Sequence, residues 1–107
     1  MSRGLSIEIN DVIAENPIIL NSEDNVKISV YFTSLVYDTD VILEISINGE
    51  IEAQTLTFDM EEGKKYGKRL TINVPQISAE EFQTNMQIEI DGKNGKESIE
   101  LPLTINN

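Results

Sequence analysis

The chain alternates. Apolar side chains recur at every second position in segment after segment: Leu5, Ile7 and Ile9 in GLSIEIN; Val26, Ile28, Val30 and Phe32 in NVKISVYF; Val41, Leu43, Ile45 and Ile47 in VILEISI; Leu70, Ile72 and Val74 in RLTINVP; Met86, Ile88 and Ile90 in NMQIEID; Ile99, Leu101, Leu103 and Ile105 in SIELPLTI. A period of two belongs to a strand with one buried and one wet face, because successive side chains point to opposite sides of a sheet. EIEAQTLTF carries Ile51 and Ala53 and then, in shifted phase, Leu56 and Phe58, which predicts a bulge near Gln54–Thr55. These seven segments, apolar in and polar out, predict an all-β fold of antiparallel sheets.

The residues between the segments agree. Asn48-Gly49 separates two alternating runs and predicts a tight hairpin, since both residues accept positive φ. EEGKKYGK and DGKNGK read as longer glycine-bearing connections. Pro17 and Pro102 lack the ladder N–H and are expected at sheet edges. QISAEEFQ breaks the alternation, and Ser78-Ala79-Glu80-Glu81 matches a capping box, so a single helical turn is expected near 78–82. About seven short strands with regular turns predict a β-sandwich or a small barrel, and 107 residues without repeats or linkers are expected to form a single domain over 1–107.

The order of turns resembles an immunoglobulin-like sandwich. More narrowly, NVKISVYF, VILEISINGE, EEGKKYGKRLTINVP and MQIEIDGKNGKESIELPL resemble the adhesion-related (CARDB) domains of prokaryotic surface proteins. The cysteine pair and core tryptophan of antibody domains are absent. In class, size and acidity the chain also resembles the auxiliary, or decoration, proteins of tailed-phage capsids, which bind the outer face of the major capsid protein.

Composition narrows the chemistry. With 19 acidic and 8 basic residues the net charge is -11, which repels nucleic acid and anionic membranes. No histidine and no cysteine occur, so a Ser-His-Asp triad, a Cys-His pair and thiolate or imidazole metal sites are all excluded. No phosphate-cradling glycine motif is present. A non-enzymatic protein without a cofactor is expected. The one ion worth considering is calcium, through Asp38, Asp40, Asp59, Glu61 and Asp91.

Four of the eight positive charges, Lys64, Lys65, Lys68 and Arg69, fall within six positions. In an antiparallel sandwich alternate connections share an end, so loops 34–40, 59–67 and 91–96 are expected together. Loops 16–24, 48–49 and 76–83 are expected at the opposite end. The first end would gather Tyr37, Met60, Lys64, Lys65, Tyr66, Lys93 and Lys96 as a partner-binding surface, because aromatic residues and Met favour interface cores. Lys64, Lys65 and Tyr66 are expected to touch the partner without supporting the fold. Lys68 is expected to point inward with Leu70 at the mouth of the sandwich, and Arg69 outward.

The absence of an apolar leader and the Met1 start suggest a complete chain retained where it is made. The expected function is an auxiliary protein of a virion assembled in the host cytoplasm, with the major capsid protein or another virion protein as partner. The alternative is an adhesion or carbohydrate-associated module at a prokaryotic cell surface.

Overall fold

A computed structural model describes the backbone of residues 2–107 and side chains from residue 4 onward. Ten strands are described: β1 (Ser2–Ile9), β2 (Val12–Ile13), β3 (Ile18–Asn21), β4 (Asn25–Ser34), β5 (Asp38–Ile47), β6 (Glu50–Gln54), β7 (Phe58–Met60), β8 (Lys65–Asn73), β9 (Glu81–Asp91) and β10 (Lys96–Asn106). They form two layers. One sheet runs β2-β1-β4-β8; the other runs β3-β10-β9-β5-β6, with β7 also pairing with β5. The fold is an immunoglobulin-like β-sandwich.

The alternating rows meet between the layers. Val26, Ile28, Val30, Phe32 and Ile72 of one sheet face Val41, Leu43, Ile45, Ile47, Met86, Ile88, Leu103 and Ile105 of the other, all buried. Register follows from this burial, since a one-residue slip would turn a whole row to water. Asn48-Gly49 closes the β5–β6 hairpin with φ of 52° and 83°, the primed-turn geometry that matches strand twist.

Four sequence expectations need correction. First, residues 16–24 are more than a loop. Ile18 and Leu20 are buried, and β3 pairs parallel with β10, Ile18 opposite Leu103 through Asn21 opposite Asn106. The sandwich is therefore not purely antiparallel, and Ile18-Ile19-Leu20-Asn21 is too short a run to show a period of two.

Second, the bulge lies at Glu52. Ala53 pairs with Ile45 and Ile51 with Ser46, so Glu52 is the extra residue. Ile51 thereby faces outward with Ser46 and is 57% exposed. The segment then breaks: the Thr55 N–H donates to the Leu43 carbonyl at 2.9 Å, Thr55 Oγ1 accepts the Leu43 N–H at 3.1 Å, and Leu56 is left in solvent.

Third, no helical turn forms at 78–82; the chain bends at 78–80 and enters β9 at Glu81. Its carbonyls have other partners. The Asn107 side-chain amide donates to the carbonyls of Ile77 and Ala79 at 3.1 and 3.2 Å, and the Asn107 N–H donates to Glu80 at 2.9 Å. These bonds replace the intrahelical ladder, whose first turn is costly to nucleate in isolation.

Fourth, the 59–67 connection is shorter than expected. Asp59 and Met60 end β7, and Lys65 already begins β8, leaving residues 61–64 as the turn.

Met86 and Ile45 are fully buried where the layers interdigitate. Truncating either to Ala is expected to cost about 2–5 kcal/mol. The check is a urea midpoint lowered at unchanged slope.

Candidate functional site

The three loops expected at one end do converge there. Asp38 is the joint. It is 2% exposed, and its Oδ1 accepts the N–H of Thr39 at 2.8 Å and of Asn94 at 3.0 Å. The Lys93 N–H donates to the Thr39 carbonyl at 3.3 Å, so the start of β5 is tied to the β9–β10 hairpin. Gly92 passes directly over this carboxylate, where an added Cβ would overlap it. On the other flank, the Ser34 N–H donates to Lys64 and the Gly63 N–H to Ser34, at 3.0 and 2.8 Å, clamping the 61–64 turn to the end of β4.

The seven residues expected to bind a partner divide within that end. Tyr37 is 62% exposed on the β4–β5 connection. Lys64 is exposed, 3.9 Å from Glu61 and 5.6 Å from the centre of the Tyr66 ring. Lys65 is an exposed residue of β8 and not of a loop. Lys93 and Lys96 bond Asp40 and Glu89 at 2.8 and 2.9 Å.

Two of the seven pack with the core, Met60 inside it and Tyr66 half-buried against it. Met60 is 3% exposed and packs in the core, because β7 continues through it with Phe58 on the same face. Tyr66 stacks on Phe32 at 5.6 Å between ring centroids, lies 6.0 Å from Phe58, and its hydroxyl accepts the Glu61 N–H at 2.7 Å. It holds the fold together, contrary to the expectation that replacing it would leave folding intact.

The rest of the basic cluster is also internal business. Lys68 points inward as expected and sits 3.9 Å over the Phe58 ring. Arg69 points outward and spans the sheet surface, donating to Ser29 Oγ on β4 at 3.3 Å and to the Asp11 carboxylate in the β1–β2 turn. The calcium constellation does not assemble: Asp38 is bound to backbone amides, Asp40 to Lys93, and among the described residues no acidic group of three is placed to hold a metal.

A second candidate was missed by sequence reading. Between the β1 and β10 edges of the two sheets lies a cleft of about 330 Å³, lined by Leu5, Ile7, Ile13, Ile18, Ile99 and Leu101 among others. Beside it Val12, Ile13 and Ile19 are 67%, 75% and 55% exposed, an apolar stripe continuous with the cleft through Ile13 and Ile18. SIELPLTI alternates uniformly, yet Leu103 and Ile105 are fully buried while Ile99 and Leu101 are only half-buried. The available signal was Pro102, which marks where the strand lies at an edge.

No protein-family model matches the chain, and no curated protein matches it in sequence. Among solved structures, a Niemann-Pick type C2 protein from the Japanese carpenter ant is similar with a TM-score of 0.69 at 12% identity, over 99% of this chain and 98% of that one. At this identity the likeness establishes the sandwich fold alone. A family 123 glycoside hydrolase from Clostridium perfringens, studied for glycolipid glycan hydrolysis, is similar over 95% of this chain and 27% of its own, with a TM-score of 0.49 and 14% identity.

Replacing Tyr66 with Ser is expected to lower the melting temperature by several degrees, while Ser at Lys64 or Lys65 leaves it within a degree; calorimetry of the three variants checks this. The hydrogen bonds to Asp40 and Glu89 raise the Lys93 and Lys96 pKa above the ordinary lysine value. These pairs favour the folded state below that value and lose their contribution as pH rises through the raised ones. Stability is therefore expected to fall as pH rises past the ordinary lysine value, and less steeply in an Asp40→Asn, Glu89→Gln double variant, as read from denaturation midpoints.

Proposed function

We propose that the chain is a non-enzymatic interaction protein. Its specific form is an auxiliary protein decorating the outer face of a tailed-phage capsid, where the major capsid protein is its partner. The observation that carries the interaction reading is the exposed stripe of Val12, Ile13 and Ile19 running into the apolar cleft between β1 and β10. Large exposed aliphatic residues in one contiguous strip are unfavourable in water, and such strips mark docking surfaces. The net charge of -11 supports a place away from packaged nucleic acid, on a solvent-facing shell surface. The absence of histidine and cysteine supports a role other than catalysis.

Density-gradient purification of particles from the source virus tests the capsid reading. The chain is expected to band with the major capsid protein at a fixed ratio. A chain missing from purified particles overturns the capsid reading, and a gene with an export leader and flanking surface domains replaces it with the adhesion module. Val12→Ser with Ile13→Ser is expected to weaken particle binding at least tenfold at an unchanged melting temperature, because both side chains are already in solvent.

A further inference from the structure

β10 carries a strand neighbour on its outer side for its last four residues only. β3 pairs with Leu103–Asn106, and among the described residues no strand pairs with that side of residues 96–102. One bond identifies the backbone groups left open. The Ser22 N–H donates to the Asn106 carbonyl at 2.7 Å, on the β3 side. Backbone polar groups alternate sides along a strand, and β10 pairs with β9 in unbroken register from residue 96 to 106. Residues 104, 100 and 98 therefore turn N–H and C=O toward the β3 side as well, and Pro102 turns its C=O there. Pro102 occupies one of these positions and so removes nothing from the β9 ladder. Glu100 and Ser98 each offer an unused donor and acceptor along the open edge of β10, next to Ile99 and Leu101 of the cleft.

The facing wall is also incomplete. β2 pairs with Glu8 and Ile9 of β1, and the Ala14 N–H donates to the Ile7 carbonyl at 2.9 Å; the side chains of Leu5 and Ile7 line the cleft with Ile99 and Leu101. A seven-residue stretch of open edge is about 23 Å long, the length of an ordinary strand. Charge defines what fits. Glu15 is the one charged residue among those lining the cleft, Glu97 shares the inward side of β10 with Ile99 and Leu101, and Glu100 stands on its outer face. Among the described residues none of these three carboxylates forms an ion pair.

We infer that an extended segment of a partner protein, alternating apolar residues with Lys or Arg, adds to β10 as a strand in line with β3. This rests on the interaction reading above and adds the mode of docking. Main-chain hydrogen bonds would supply affinity and the apolar cleft would set which alternate residues fit. A purely apolar small molecule leaves the donors of Ser98 and Glu100 unused. A second copy would bring its own acidic edge and a net charge of -11 against this one.

The test uses the intact chain and a set of capped nonapeptides with Val, Ile, Leu or Phe at alternate positions and Lys or Thr between them. At least one Lys-bearing peptide is expected to bind, more weakly as salt rises, and to slow amide hydrogen exchange at Ser98 and Glu100 at least tenfold. Glu100→Pro removes the open N–H without touching the β9 ladder and should abolish that binding, while Glu100→Gln keeps it. Melting curves of both variants establish that they are folded, and the exchange result stands independently of either. Failure of every peptide, equal binding by a folded Glu100→Pro variant, or binding without protection at Ser98 and Glu100 overturns the proposal. So does concentration-dependent dimerisation that protects these amides without peptide, or displacement of a bound peptide by oleate with no salt dependence. Should particle binding be lost on changing Lys64 and Lys65 but persist in Glu100→Pro, the interaction reading would stand and strand addition would fall.

Discussion

Four long strands, β4, β5, β9 and β10, fix the rest of the molecule, because a register slip in any of them would turn its entire apolar row into water. Every other element is placed relative to those rows. The short strands β2, β3, β6 and β7 contribute little area of their own and take positions along the edges the long ones leave. Polar devices then secure the ends: Asp38 at one, and Ser22 and Asn107 at the other, where Ser22 Oγ accepts the Ile77 N–H at 3.1 Å.

The two long sides of the sandwich are finished differently. On one, Phe32, Phe58 and Tyr66 meet across the layers with Lys68 laid over Phe58, so the gap between sheets is filled by rings. On the other, β1 and β10 stay apart, and Ile99 and Leu101 line a cleft instead of completing a core. The same apolar alternation thus yields a sealed seam on one side and an open one on the other. The difference comes from large aromatic side chains at the β7–β8 side and from the early departure of β3, which joins β10 only beyond Pro102.

Much of this was legible from residues alone. The core rows of the long strands, the Asn48-Gly49 hairpin and the convergence of three loops at one end follow from period and turn chemistry. Pro102 correctly marked an edge. What escaped was decided by partners far away in sequence. The capping-box pattern at 78–81 failed because Asn107 supplies the hydrogen bonds to those carbonyls, and no local pattern encodes that. Met60 and Tyr66 were read as loop residues because glycine and lysine crowd around them, yet Ser34 binds the turn so tightly that strands begin on either side of it. Ile51 and Leu56 looked inward because the bulge lies two residues earlier than the phase shift suggested.

The parallel pairing of β3 with β10 also bears on how the chain comes to be made. It joins Ile18 to Leu103, a separation of 85 residues (103 − 18). At ribosomal rates of about 5–20 residues per second, β3 waits on the order of ten seconds for its neighbour to be synthesised. Through that interval its buried-to-be Ile18 and Leu20 have no sheet to join, and Ile19 stays exposed even afterwards. The seam beside the cleft thus waits on the last strand of the sandwich, and a nascent chain carries Ile18, Ile19 and Leu20 uncovered until that strand arrives.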